Sequence, residues 1–222
     1  MRGSDDDGHR AVTATGLVLC DDGRYRPPWA TDGALREYYD TEWGRPVVTE
    51  HGLLERVVLE GFQAGLSWST VLAKRPAFRE VFHMFHPELI LDMDAEARQA
   101  AREAARLIRN GRKMDAVFTN AAATVVLRDD PGLRSLPAGS PAEGVLGGAV
   151  AAVRPGLPVL LWSFTPERHV RPRSWSEVPT TSPESEAMAA ELRRRGFVFV
   201  GPTTCYALMQ AVGMVDDRVE AD

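Results

Sequence analysis

The chain has 222 residues, 44% hydrophobic and 26% charged, with a formal net charge of −5. These are globular proportions with enough apolar material for a core, and the length suits one ordinary domain or two small ones. The two cysteines, Cys20 and Cys205, exclude a disulfide scaffold, a four-cysteine zinc site and a cysteine-held iron–sulfur cluster.

In chain order, MRGSDDDGHR is polar and acidic, which is not a secretory pattern. Residues 1–26 lack periodicity and are expected to form a flexible arm, dispensable for the fold, with LVLC (17–20) as its only sticky point. The stretch after Asp32 predicts a short helix stopped by Gly44. Leu53, Leu54, Val57, Val58 and Phe62 recur at helical spacing and predict a helix from about Glu50 to Gly65. Ser67 to Ala73 predicts a short helical piece, and Pro76 the start of another helix with Phe78, Val81, Phe82 and Phe85 on its apolar face. Asp94 opens an Ala- and Arg-rich helix expected to end near Ile108. The turn RNGR follows, and KMDAVFTNAAATVVL resumes the helical period. Residues 129–158 hold five prolines and six glycines and read as a loop around one short helix. Val159 to Phe164 is apolar again. Ser182 with Pro183 predicts a helix start, and Gly196 its stop. FVFVG (197–201) reads as extended, and TTCYALMQAVG as a last helix. The class is all-α. No apolar run is long enough to cross a membrane, and a cytoplasmic, monomeric protein is expected.

Net acidity alone argues against nucleic acid. Nine of the acidic residues, however, are Asp5, Asp6, Asp7, Asp21, Asp22, Asp216, Asp217, Glu220 and Asp222, at the two ends. Without them the remainder is not acidic, so charge permits a DNA-binding surface.

Two segments could carry chemistry. Leu107 to Lys113 joins two helices by a tight polar turn. Free N–H groups at the start of the second helix can hold a phosphate, and Arg109, Arg112 and Lys113 add charge; a solvated helical hairpin explains the same residues. In LEGFQAGLSW (59–68), Glu60 sits in an apolar helix, where burial is costly without a partner, and Trp68 follows a glycine turn. A carboxylate beside aromatic faces suits a cationic, planar ligand. A Glu paired with an Arg and a core Trp would suit the sequence equally. Trp29, Tyr38, Tyr39 and Trp43 cluster nearby. Ser67, Ser163, Thr203 and Thr204 lie in no nucleophile elbow, and His83 and His86 lack a third ligand at fitting spacing.

YYDTEWGRP (38–46), LEGFQAGLSWSTVLAKR (59–75), LIRNGRKMDAVFTNA (107–121), LWSF (161–164) and RRGFVFVGPTTCYALMQAVGMVDD (194–217) together resemble the 3-methyladenine DNA glycosylase I family, of the helix–hairpin–helix glycosylase superfamily. The resemblance spans about Trp29 to Asp217 and implies a glycosylase domain over 27–217 and a short tail over 218–222. It implies Glu60 as the catalytic residue and Trp68, Tyr38 and Trp29 as further base-pocket residues. It also implies Leu66 as the wedge that fills the gap in the duplex, and Arg109, Asn110, Gly111, Arg112 and Lys113 as the phosphate-holding hairpin. The sequence departs from the family at the structural zinc: the four ligand positions fall on Pro27, Tyr39, Arg218 and Asp222, so no metal and no cofactor is expected. A pocket tyrosine of relatives is Leu35 here.

The implied partner is double-stranded DNA with alkylated bases. The implied reaction is hydrolysis of the N-glycosidic bond of a flipped N3-alkylated adenine, such as 3-methyladenine, in base excision repair. An adduct that already carries positive charge leaves without protonation, and no lysine lies in the pocket segments to support a lyase step. Two alternatives remain at this level: a sister enzyme for another or bulkier alkylated purine, and a damage-binding protein that does not cut.

Overall fold

The computed structural model describes residues 12–221, and within them the chain is helical, with one small hairpin. Ten helices follow in order: α1 (Gly33–Thr41), α2 (Glu50–Gln63), α3 (Trp68–Val81), α4 (Pro87–Leu91), α5 (Ala95–Glu103), α6 (Gly111–Leu127), α7 (Pro141–Leu146), α8 (Leu157–Trp162), α9 (Pro183–Arg194) and α10 (Pro202–Ala211). α2 is the central helix. Every residue from Leu53 to Phe62 is buried, because α3, α6, α8 and α10 surround it. A helix covered on all sides is normally apolar all round, so its charged residues Glu55, Arg56 and Glu60 need a physical account.

Several helix ends follow from local chemistry. Asp94 accepts from the Ala97 N–H, Asn110 from Lys113 and Ser67 from Thr70, and Ser182 and Ser185 cap each other reciprocally. Each bond satisfies one of the donors that a helix start leaves open. Pro183 stands at the first turn of α9, where its missing N–H costs nothing.

The structure differs from expectation in four places. Residues 12–26 are no loose arm; residues 1–11 lie outside those described. Val18–Leu19 (β1) pairs antiparallel with Tyr25–Arg26 (β2) around a turn with Gly23 at φ +77°. Leu17, Val18 and Cys20 are buried. Arg26 is 1% exposed and is gripped by Asp22 (2.8 and 2.7 Å) and Asp40 (2.9 and 2.7 Å). Charges that suggest solvation in sequence here saturate one another and tie the hairpin to α1.

Second, α3 runs unbroken through Pro76. A helix-interior proline costs about 3 kcal/mol, and burial of Val71, Leu72 and Phe78 around it offsets that at about 1.5–3 kcal/mol per side chain. Third, α5 ends at Glu103, not near Ile108. Fourth, FVFVG is no strand. The Asn120 side chain does the work of a neighbouring strand: its amide donates to the Val198 carbonyl and its oxygen accepts from the Val198 N–H. Phe199 turns to φ +57° and lies flush on Gly61, where a Cβ would meet the Phe199 oxygen at 3.1 Å. Residues 129–158 form turns around α7, as the composition suggests, and also give Leu133, Ala142, Leu146 and Leu157 to the core.

Candidate active site

A cavity of about 630 Å³ opens where α1, α2, α3 and α10 converge. Glu60, from α2, is 5% exposed and its carboxyl accepts no hydrogen bond from any described residue. Burial pushes it up to about 8, with Arg56 acting in the opposite direction. Tyr38, from α1, is buried, and its hydroxyl also lacks a partner among the described residues. Burial, and then the nearby Glu60 charge, raise its pKa. Buried polar groups are normally paired; an unpaired buried hydroxyl beside a carboxyl with no described partner leaves hydrogen bonds on one cavity wall for a ligand.

The aromatic walls stand around them. Tyr38 and Trp68 have ring centroids 5.4 Å apart at 55°, and Trp29 lies 6.5 Å from Tyr38 and 5.9 Å from Trp43. Trp29, Tyr38, Glu60 and Trp68, the four pocket residues read from the sequence, thus line one cavity, and Leu35 lines it with them.

The other buried charges of α2 are occupied. Glu55 bonds Arg75 at 2.5 Å and Arg79 at 2.9 and 3.1 Å, and Arg56 reaches Glu42 at 3.0 Å and Glu55 at 3.2 Å. Burial alone would raise Glu55, but Arg79, Arg75 and Arg56 outweigh it and hold the carboxyl below its ordinary value.

Leu66 sits between α2 and α3, after Gly65 (φ +80°), and is 37% exposed. Arg109, Asn110, Gly111 and Arg112 are exposed at the α5–α6 turn. With the Lys113 N–H given to Asn110, the Gly111 and Arg112 N–H groups have no partner among the described residues and are the ones open to an anion. Lys113 departs from expectation. It is 6% exposed, and its ammonium donates to the carbonyls of Phe62 (2.8 Å) and Ala64 (2.6 Å). Lys113 therefore closes the C-terminus of α2, where a cation offsets open carbonyls, and is not turned toward a phosphate.

Of the positions at which the family resemblance implies zinc, Pro27 and Arg218 do not fit a metal. Pro27 offers no side-chain donor atom. Arg218 is cationic, donates through Nη2 to the carbonyls of Tyr39 (2.7 Å) and Trp43 (2.5 Å), and lies over the Tyr39 and Trp43 rings at 4.3 and 5.3 Å. Asp222 lies outside the described residues. Elsewhere, His86 stacks on His51 at 4.4 Å, and no group of three or more potential ligands occurs among the described residues.

Sequence reasoning missed the rest of the cavity wall. Trp175, Val178, Pro179 and Thr180 come from the loop between α8 and α9, and Thr203, Tyr206 and Gln210 from α10. Tyr206 and Gln210 share one anchor, donating to Asp217 Oδ2 at 2.8 and 2.7 Å. The loop carries no periodicity that could have disclosed it. Tyr206 and Gln210 recur at helical spacing and read as an ordinary helix face. Among the described residues no lysine lines the cavity.

The chain is similar to known proteins. The family model described as methyladenine glycosylase matches residues 29–135 and 149–221. The chain is 36% identical over 197 residues to the DNA-3-methyladenine glycosylase of Haemophilus influenzae, covering 87% of this chain and 94% of that relative. It is 35% identical over 186 residues to DNA-3-methyladenine glycosylase 1 of Escherichia coli K12, covering 82% and 86%. Among solved structures, a 3-methyladenine DNA glycosylase I superposes with a TM-score of 0.69 at 34% identity, over 85% of this chain and 92% of that one. The Staphylococcus aureus enzyme shares the fold with a TM-score of 0.71 at 22% identity, over 91% and 93%.

Proposed function

The chain belongs to the methyladenine glycosylase family and excises 3-methyladenine in base excision repair, and on that premise we propose how its residues do so. The flipped base enters between Trp68, Tyr38 and Trp29. The unpaired Glu60 carboxyl and Tyr38 hydroxyl supply the hydrogen bonds that identify it. Leu66 fills the hole left in the duplex, and the turn at Arg109, Asn110, Gly111 and Arg112 holds a phosphate of the bent strand. The observation that carries this reading is the buried, partnerless Tyr38 hydroxyl beside the Glu60 carboxyl, which has no partner among the described residues, on one aromatic cavity.

An N3-alkylated adenine in DNA carries a positive charge. Ionised Glu60 and the ring faces favour that cation, and its charge in turn repays the burial that keeps Glu60 neutral in the free protein. The C1′–N bond breaks with its electron pair going to the base, which leaves neutral. Water adds to C1′ and releases a proton. No protonation of the leaving group is required, which fits a cavity where Glu60 is the one carboxyl among the described lining residues. The reaction is hydrolytic, and no lysine among the described residues lines the cavity to support a lyase step.

Leu35 and the cavity volume favour one refinement: tolerance of N3 substituents larger than methyl. One experiment covers both statements. Release of 3-methyladenine, 7-methylguanine, hypoxanthine and a bulkier N3-alkyladenine is compared in one duplex context. Fast release of both N3-alkyladenines and slow release of neutral hypoxanthine is expected. Equal release of hypoxanthine would sink the cation argument, and DNA binding without release of any base would make this a damage-binding protein.

A further inference from the structure

Trp175 lines the same cavity as Glu60 and Trp68, yet it belongs to none of the motifs that identify the family. It stands at the head of a short turn, Trp175–Glu177, in the loop between α8 and α9. Its backbone is held by the N-terminal hairpin region. The Trp175 N–H donates to the Thr15 carbonyl at 2.8 Å. Gly16, at φ +79°, lies so close that a Cβ there would come within 3.2 Å of Trp175 Cβ. Thr15 is itself buried and bonded to Thr13 through the two hydroxyls at 2.8 Å. The support is therefore rigid although it lies far away in sequence. The Trp175 ring is half-buried, and its indole N–H has no acceptor among the described residues.

We propose that Trp175 is a specificity-determining residue of the base pocket, contacting the flipped cationic purine, and that the Thr15–Gly16 turn is the positioning element that keeps it there. The proposal rests on the excision reading above and assigns it one more wall. An aromatic side chain that stacks on a base is worth a factor of roughly 5 to 150 in binding. The hairpin's burial, its φ-positive glycine and its tie to loop 163–182 acquire a purpose that packing alone does not supply: without them the Trp175 wall would rest on a loop with no helix of its own.

The test uses the full chain and three variants, Trp175→Ala, Trp175→Phe and Gly16→Ala. Two readouts are taken: steady-state release of 3-methyladenine from methylated duplex, and equilibrium binding of free 3-methyladenine. Trp175→Ala is expected to raise KM about tenfold with kcat within about twofold, and to weaken free-base binding by a similar factor. Trp175→Phe should recover most of the loss. Gly16→Ala, which does not line the cavity, should reproduce part of it. Unchanged KM and free-base affinity in Trp175→Ala would overturn the proposal. So would a Trp175→Phe variant that is as impaired as Trp175→Ala and melts lower with it, because the residue would then be structural. A wild type that binds free 3-methyladenine but releases none from DNA would refute excision, not the Trp175 wall.

Discussion

Glu55 and Glu60 lie five residues apart on one helix and are about equally buried, at 4% and 5% exposure. Glu55 is saturated by three guanidinium groups and is held ionised. Glu60 meets no donor among the described residues and is pushed up to about 8 by burial. Burial is common to both, so burial does not separate a structural carboxylate from a functional one; the census of partners does. The same contrast runs through the molecule. Arg26, Lys113 and Arg218 are cations engaged by protein acceptors, whereas Glu60 and Tyr38 have no hydrogen-bond partner among the described residues.

The largest effect expected from breaking this contrast is on stability. Glu55→Gln leaves Arg75, Arg79 and Arg56 buried or half-buried without their shared counter-ion. Removing one partner of such a network costs about 3–5 kcal/mol, measurable as a fall in the chemical-denaturation midpoint. A loss below about 1 kcal/mol would show that Glu42 alone holds the arginines.

Glu60→Gln should do the opposite. Excision of 3-methyladenine should fall at least about tenfold, while the protein melts no lower than wild type near neutral pH. A carboxyl whose pKa is raised on folding costs no stability below its ordinary value. The cost grows as pH climbs from there to about 8, at about 1.4 kcal/mol per pH unit in that window. The stability gap between Glu60→Gln and wild type should therefore widen between about pH 5 and 8 and vanish in acid. Glu55, with a lowered pKa, runs the other way: its contribution is intact above the ordinary value and is lost as pH falls through its folded value. In kinetics, kcat/KM for methylated duplex should rise toward about pH 8 and level off above it, a limb that Glu60→Gln lacks. Wild-type excision by Glu60→Gln would remove the residue from the site.

The sequence disclosed what local chemistry or an unusual residue signals. Ser182–Pro183 and Asp94 mark helix starts because a side-chain oxygen there has one useful job. Glu60 stands out because a carboxyl in an apolar helix is costly. The hairpin at 12–26 was illegible because its strands are two residues long, and because Arg26 is buried by the joint grip of Asp22 and of Asp40, 14 residues further on. FVFVG misleads in the reverse sense: β-branched and aromatic residues suggest a strand, but among the described residues no strand pairs with it and Asn120 satisfies Val198 instead. Trp175 reaches the pocket through tertiary contacts that no spacing rule records.

Lys113 sharpens the contrast at intermediate size. Charge and position in the hairpin suggest a phosphate contact, yet its ammonium is occupied by Phe62 and Ala64. Lys113→Met should cost about 1.5–3 kcal/mol of stability, the range for hydrogen bonds to a charged group, and leave the salt dependence of DNA binding unchanged. Arg109→Ala or Arg112→Ala should instead leave stability alone and reduce the slope of log K against log salt by about 0.9 for each phosphate no longer neutralised. A reduced slope for Lys113→Met would return the residue to the DNA interface.

The smallest expected effect is a null one, and it concerns the junction of the two chain ends. Where the resemblance implies a metal, Arg218 spans Tyr39 and Trp43 with two hydrogen bonds and a stacked guanidinium. A metal clasp contributes its binding free energy to folding and loses it to a chelator. This clasp has no such term, so excess chelator should leave Tm unchanged, and elemental analysis of untagged protein should find no stoichiometric zinc. Arg218→Ala should lower stability by about 1–2 kcal/mol, and Arg218→Lys should recover little of it, because an ammonium keeps the charge but not the planar fork that stacks and donates together. A chelator-sensitive Tm would mean that ligands other than Pro27, Tyr39 and Arg218 hold a metal, and the direct contact of Arg218 with Tyr39 and Trp43 could then not be what joins the ends.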